Sequence, residues 1–197
     1  MTSGFSPDLI VMALPLESQG LFERAGIPVL FTGIGKVNAA HVLTRRLAEY
    51  RHAGLAPPRV INFGTAGSRR HPTGALIACH AFVQRDMDVT GLGVPLGTTP
   101  FEVIPARLEF APLDATLPEG ICGSGDSFAM SEVALECDVV DMEAYALAKV
   151  CWFDGATFGA IKYVTDGADG SAGQDWQQNL RAAAAAFLAT YQRLARL

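Results

Sequence analysis

Apolar runs rich in β-branched residues alternate along this chain with segments whose apolar residues recur at three and four, and that alternation restricts the fold more than any other feature. Residues 9–14, 29–31 and 60–63 predict buried strands. Between the last two, Ala39, Val42, Leu43 and Leu47 share one face of a helix over residues 38–50. Further on, residues 75–83, 139–140 and 158–164 read as strands. Residues 142–153 read as a helix with Met142, Ala146, Leu147, Val150 and Cys151 on its core face, and 174–197 as a long final helix favoured by the alanine run 182–186. This order predicts an α/β fold, with a mixed central β-sheet flanked by helices in three layers. Residues 91–119, with Pro95, Pro100, Pro105, Pro112 and Pro118, predict mostly loop. A chain of 197 residues, half of them hydrophobic, has material for one substantial core, so residues 1–197 are expected to form a single domain.

Charge and cysteine usage exclude several function classes. Fifteen basic residues against twenty acidic give a net charge of -5, and the basic residues are scattered apart from Arg45-Arg46 and Arg69-Arg70. Nucleic-acid affinity rests on clustered phosphate neutralisation, so a small ligand is expected and a nucleic acid is not. Cys79, Cys122, Cys137 and Cys151 stand far apart, without the Cys/His spacing of a zinc site, and read as buried apolar residues of a reducing, cytoplasmic setting. The apolar stretch 9–16 is far shorter than the ~20 residues that span a bilayer, and no membrane association is expected.

The chemistry-bearing residues fall where strands are expected to end. Asp141-Met142-Glu143-Ala144 and Thr165-Asp166-Gly167-Ala168-Asp169 each follow a strand pattern and precede a helical one, the place where α/β proteins bind ligands. Two such carboxylate loops point to one pocket. Pro15 suits a first helical turn, and Glu17 is either a carboxylate matched to the helix dipole or part of that pocket. Gly33-Ile34-Gly35-Lys36 joins a strand to a helix and offers free N–H groups to an oxyanion, without the spacing of a P-loop or of G-x-G-x-x-G. Gly64-Thr65-Ala66-Gly67 is a second strand exit of small residues. Residues 85–90 read equally as a solvated turn. Phe128, after Gly125-Asp126-Ser127, could stack on a base or fill the core. Asp166 is either a helix N-cap or a carboxyl able to act as an acid.

In order along the chain, residues 13–17, 32–40, 64–67, 88–90, 125–128, 141–144 and 165–169 resemble the landmarks of the 5'-methylthioadenosine/S-adenosylhomocysteine nucleosidases, members of the purine nucleoside phosphorylase and nucleosidase superfamily. The resemblance implies a hydrolase that cleaves the N-glycosidic bond of a purine nucleoside and releases adenine. It makes Asp166 the general acid that protonates N7 of the leaving base and Glu17 the base that activates water. It gives Glu143 and Met142 the ribose, Phe128 the base stack, Thr65 and Lys162 the placing of the water, and Trp176 closure over the 5' substituent. It implies neither metal nor organic cofactor, and a homodimer. Such a bond breaks through an oxocarbenium-like state, which calls for one carboxyl at the leaving group and another at the water.

Residues 17–32 are shorter than usual in that family, Asp141 stands for a more usual glutamate, and Tyr145 places a bulky side chain behind Glu143. Two rival readings are a purine nucleoside phosphorylase using phosphate, and a non-catalytic nucleoside-binding protein. Retention of both Glu17 and Asp166 argues against the binder. A carboxylate at position 17, with no arginine before Arg24, argues against phosphate, while Arg69 and Arg70 keep that reading open.

Overall fold

The computed structural model describes residues 8–127, 129, 133–168 and 172–196, and for 172–178 the backbone alone. In chain order the elements are β1 (Leu9–Met12), α1 (Pro15–Ser18), α2 (Leu21–Arg24), β2 (Val29–Phe31), α3 (Lys36–His52), β3 (Val60–Gly67), β4 (Leu76–Gln84), β5 (Arg107–Glu109), β6 (Glu119–Ser124), β7 (Val139–Asp141), α4 (Ala144–Asp154), β8 (Phe158–Asp166) and α5 (Ala172–Leu194). The strands run in the order β2-β1-β3-β7-β6-β4-β5, and β8 pairs with both β3 and β4. The pairs β1–β2, β1–β3, β3–β8, β4–β6 and β6–β7 are parallel. The pairs β3–β7, β4–β5 and β4–β8 are antiparallel. The expected mixed sheet is therefore present, and it closes on itself through the circuit β3-β7-β6-β4-β8.

Helices cover both faces, which makes the three layers. On one side Ala39, Leu43 and Leu47 of α3 and Leu147 and Cys151 of α4 pack against Val60, Phe82 and Phe158. On the other, Phe22 of α2 and Ala183 and Phe187 of α5 pack against Ile61, Phe63 and Ile161. Strand β8 is buried along all nine residues, as expected of a strand with helices or strands on every side.

Two local expectations are corrected. The helix α4 begins at Ala144, so Glu143 is its N-cap and Met142 precedes it, half-buried on a cavity wall instead of in the core. Asp166 ends β8 and caps no helix. The proline-rich stretch is mostly loop, as expected, and contains β5, a short edge strand whose Leu108 is buried opposite Phe82 while Arg107 and Glu109 face solvent.

Candidate active site

Sheet closure gathers the ends of seven strands around a cavity of about 210 Å³. Its described lining comes from the residues ending or following β1 (Ala13, Leu14), β2 (Ile34), β3 (Thr65, Ala66, Gly67), β4 (Arg85), β6 (Ser127, Ala129), β7 (Val140 to Glu143) and β8 (Thr165, Asp166), with Glu17 from α1. Of the residues singled out from sequence, Glu17, Thr65, Met142, Glu143 and Asp166 meet here. Phe128 lies outside the described residues, as does the side chain of Trp176.

Glu17 is 5% exposed and held by four donors. One carboxylate oxygen, Oε2, accepts the N–H groups of Ala13 (3.0 Å) and Leu14 (3.2 Å). The other, Oε1, accepts the N–H (2.9 Å) and hydroxyl (3.1 Å) of Thr65. Pro15 opens the helix and Glu17 bends back onto the residue before it, half of a capping box. The dipole-matched and pocket readings of Glu17 thus hold together, because the cap and the cavity wall are the same place.

Asp166 is 4% exposed. Its Oδ2 accepts the Thr165 hydroxyl at 2.8 Å and its Oδ1 accepts the Ala168 N–H at 2.9 Å. Two glycines of β3 make room for charged groups. A Cβ on Gly67 would lie 2.6 Å from Asp166 Oδ1, and one on Gly64 would lie 2.9 Å from Lys162 Nζ and 3.5 Å from Glu17 Oε1.

Lys162 lies behind the wall. Its ammonium, fully buried, donates to Asp141 Oδ2 (2.7 Å) and Asn62 Oδ1 (2.8 Å). Asp141 also accepts the Ser124 hydroxyl and the Ala144 N–H (2.9 Å). Burial opposes ionisation of Asp141, but the ammonium and these donors outweigh it and hold the carboxyl below its ordinary range. Burial likewise disfavours the Lys162 ammonium, and Asp141 beside it more than compensates, raising its pKa.

Glu143 behaves differently. Its Oε1 accepts the Gly35 N–H at 2.7 Å, and burial, reinforced by the Asp141 charge, pushes its pKa up to about 8. The N–H groups expected to meet an oxyanion at the start of α3 do so, and the oxyanions are the protein's own: Gly35 serves Glu143 and Lys36 serves Asp126 at 2.8 Å. Missed by sequence reasoning were Arg85, which lines the cavity, and the partners Asn62 and Ser124. The signal for Arg85 was its place one residue past a long strand.

The sequence profile of the Phosphorylase superfamily matches residues 19–196. The chain belongs to that superfamily. Within it, the chain is a 5'-methylthioadenosine/S-adenosylhomocysteine nucleosidase-like member. It is 32% identical over 186 residues to the 5'-methylthioadenosine/S-adenosylhomocysteine nucleosidase of Marinomonas sp. (strain MWYL1), covering 84% of this chain and 78% of that relative. It is 32% identical over 191 residues to the protein of the same name from Geobacillus kaustophilus, covering 85% and 78%. The fold matches the crystal structure of the Helicobacter pylori 5'-methylthioadenosine/S-adenosylhomocysteine nucleosidase with a TM-score of 0.84 at 23% identity, over 98% of this chain and 99% of that one.

Proposed function

We propose that this protein is an N-ribosyl hydrolase that cleaves the N-glycosidic bond of 5'-methylthioadenosine or S-adenosylhomocysteine and releases adenine. The observation that carries this reading is the meeting of Glu17 and Asp166 on one cavity in a chain whose relatives carry the nucleosidase name. Asp166 gives its proton to N7 of the leaving base. Glu17, whose oxygens are fixed by four donors, orients and deprotonates water. Glu143 and Met142 hold the ribose, and the positive charge that develops on the ring favours ionisation of the Glu143 carboxyl facing it. Thr65 and Lys162 place the water. In support, the bare Cα of Gly64 leaves space between the Lys162 ammonium and the Glu17 carboxylate. Phe128 stacks on the base and Trp176 closes over the 5' group. The reaction needs no metal or organic cofactor.

Water is favoured over phosphate by the charges around the cavity. Glu17, Asp141, Glu143 and Asp166 line it, and among the described lining residues Arg85 is the sole cation. Its guanidinium is taken by Gly125 and Ser127. Arg69 and Arg70 are engaged elsewhere, with the Ala168 carbonyl and with Asp138. A phosphate dianion would meet four carboxyl groups, and among the described lining residues the one cation, Arg85, already holds the 125–127 loop.

One continuous eight-stranded sheet supports a single domain. Free cysteines, three of the four buried, support a cytoplasmic setting, and no described helix is long and apolar enough to cross a membrane. Exposed Ile34, on the cavity lining, with exposed Val37, Leu92, Phe101 and Val103, supports a homodimer. The deciding experiment is chromatography of base released from 5'-methylthioadenosine and other purine nucleosides, with and without phosphate. Adenine release without phosphate is expected. Release that requires phosphate would make the protein a phosphorylase.

A further inference from the structure

Beyond the residues assigned above, consecutive residues at the end of β4 grip the loop that follows β6. The pairing of β4 with β6 ends at Gln84 and Ser124, with one more bond from the Arg85 N–H to the Ser124 carbonyl at 2.9 Å. From there side chains take over. The Arg85 guanidinium donates to the Ser127 hydroxyl (3.1 Å), the Gly125 carbonyl (3.3 Å) and the Ser127 carbonyl. Asp86 accepts the Asp126 N–H at 2.8 Å and pairs with Lys36 at 2.5 Å. Lys36 in turn gives its own N–H to Asp126. Gly125 is the residue that lets Arg85 in, since a Cβ there would lie 2.8 Å from the guanidinium carbon and 3.1 Å from Nε.

We infer that Arg85 is a positioning residue for the nucleoside-binding wall: seated on Gly125, it fixes where the 125–127 loop stands, and so where Ser127 and Ala129 meet the substrate. This rests on the nucleosidase reading. A planar guanidinium holds two carbonyls and a hydroxyl from one rigid fork, whereas an ammonium is a point charge on a flexible stem and fixes them less firmly. The carboxyls of Glu17 and Asp166 are anchored by α1, β3 and β8 and owe nothing to this loop. Loosening the wall therefore weakens ground-state and transition-state binding alike and leaves the chemical step intact.

The test is steady-state adenine release from 5'-methylthioadenosine by wild type, Arg85→Ala, Arg85→Lys, Gly125→Ala and the Arg85→Ala/Gly125→Ala double variant, with thermal melts for each. Loss of uniform binding predicts a KM raised about ten-fold or more in Arg85→Ala with kcat within about three-fold, and partial rescue in Arg85→Lys. Gly125→Ala should raise KM similarly in the wild-type background. It should add less than about two-fold when Arg85 is absent, because the three atoms nearest the new Cβ all belong to the Arg85 side chain. Equal effects of Gly125→Ala in both backgrounds, an unchanged KM in Arg85→Ala, or a fall in kcat alone would overturn the inference. If Arg85→Ala does not fold, the Arg85→Lys and Gly125→Ala ratios decide the matter by the same criterion. Wild-type silence on every nucleoside would instead overturn the nucleosidase reading and this inference with it.

Discussion

Gly67 leaves the space that the carboxyl of Asp166 occupies: a Cβ at position 67 would stand 2.6 Å from Asp166 Oδ1 and 3.1 Å from the Ala168 Cβ. The two residues are paired across β3 and β8, at the irregularity that ends their register. Gly67→Ala must therefore push the carboxyl off the Ala168 N–H or displace the start of the following turn. Turnover is expected to fall at least about 100-fold, the scale of a lost general acid, with the melting temperature lowered only modestly. Asp166→Asn gives the same loss by chemistry instead of displacement, since the amide can keep the Ala168 bond through its oxygen and donate to the Thr165 hydroxyl through its nitrogen. Base release and circular dichroism check both. Wild-type turnover in either variant would remove Asp166 from the reaction.

Glu17→Gln should cost both catalysis and stability. Each Glu17 oxygen faces backbone N–H donors, Ala13 and Leu14 on one side and Thr65 on the other. Whichever way a glutamine is turned, its NH2 meets a donor. Leaving buried donors unmet costs about 1–3 kcal/mol, and loss of the base should lower kcat by about two to four orders of magnitude. Urea denaturation and single-turnover base release separate the two effects. A variant with unchanged stability would contradict the four-donor arrangement, and one with unchanged rate would leave Glu17 as a cap alone.

Much of this site was legible because its residues sit at strand exits, where local pattern and ligand placement coincide. Glu17 after Pro15, Glu143 after β7 and Asp166 at the end of β8 are all of that kind. The free N–H groups at Gly35 and Lys36 were legible as oxyanion holders, but not that the oxyanions are Glu143 and Asp126, which arrive from distant segments. Closure of the sheet rests on one pairing, Gly67 with Val140, and no local periodicity marks such a contact. Arg85 was read as equally a solvated turn for the same reason, since its partners come from the β4–β6 register. Leu108 was lost in a proline-rich stretch because a three-residue edge strand has too little alternation to read.

The buried pair of Lys162 and Asp141 should be far more sensitive to losing one member than both. Their side chains are 2% and 1% exposed, and Ser124, Ala144 and Asn62 complete the bonding. Lys162→Met strands a buried carboxylate and Asp141→Asn a buried ammonium, each expected to cost about 3–5 kcal/mol in urea unfolding. The double variant should cost clearly less than the sum. Additive losses would show that the two charges are solvated independently.

Glu143 should make stability fall as pH rises through neutrality. Burial, then the Asp141 charge, disfavours its ionised form, so its pKa is about 8 in the folded chain against an ordinary 4.5. Between these values the folded chain holds a proton that the unfolded chain has lost, and the unfolding free energy decreases with pH across that window. Glu143→Gln cannot titrate and keeps an oxygen for the Gly35 N–H. Its melting temperature relative to wild type should therefore climb steadily from pH 5 to pH 8 and level off above. Melts of both proteins at several pH values across the window check this, and a difference independent of pH would mean that Glu143 ionises as easily in the folded chain as in the unfolded one.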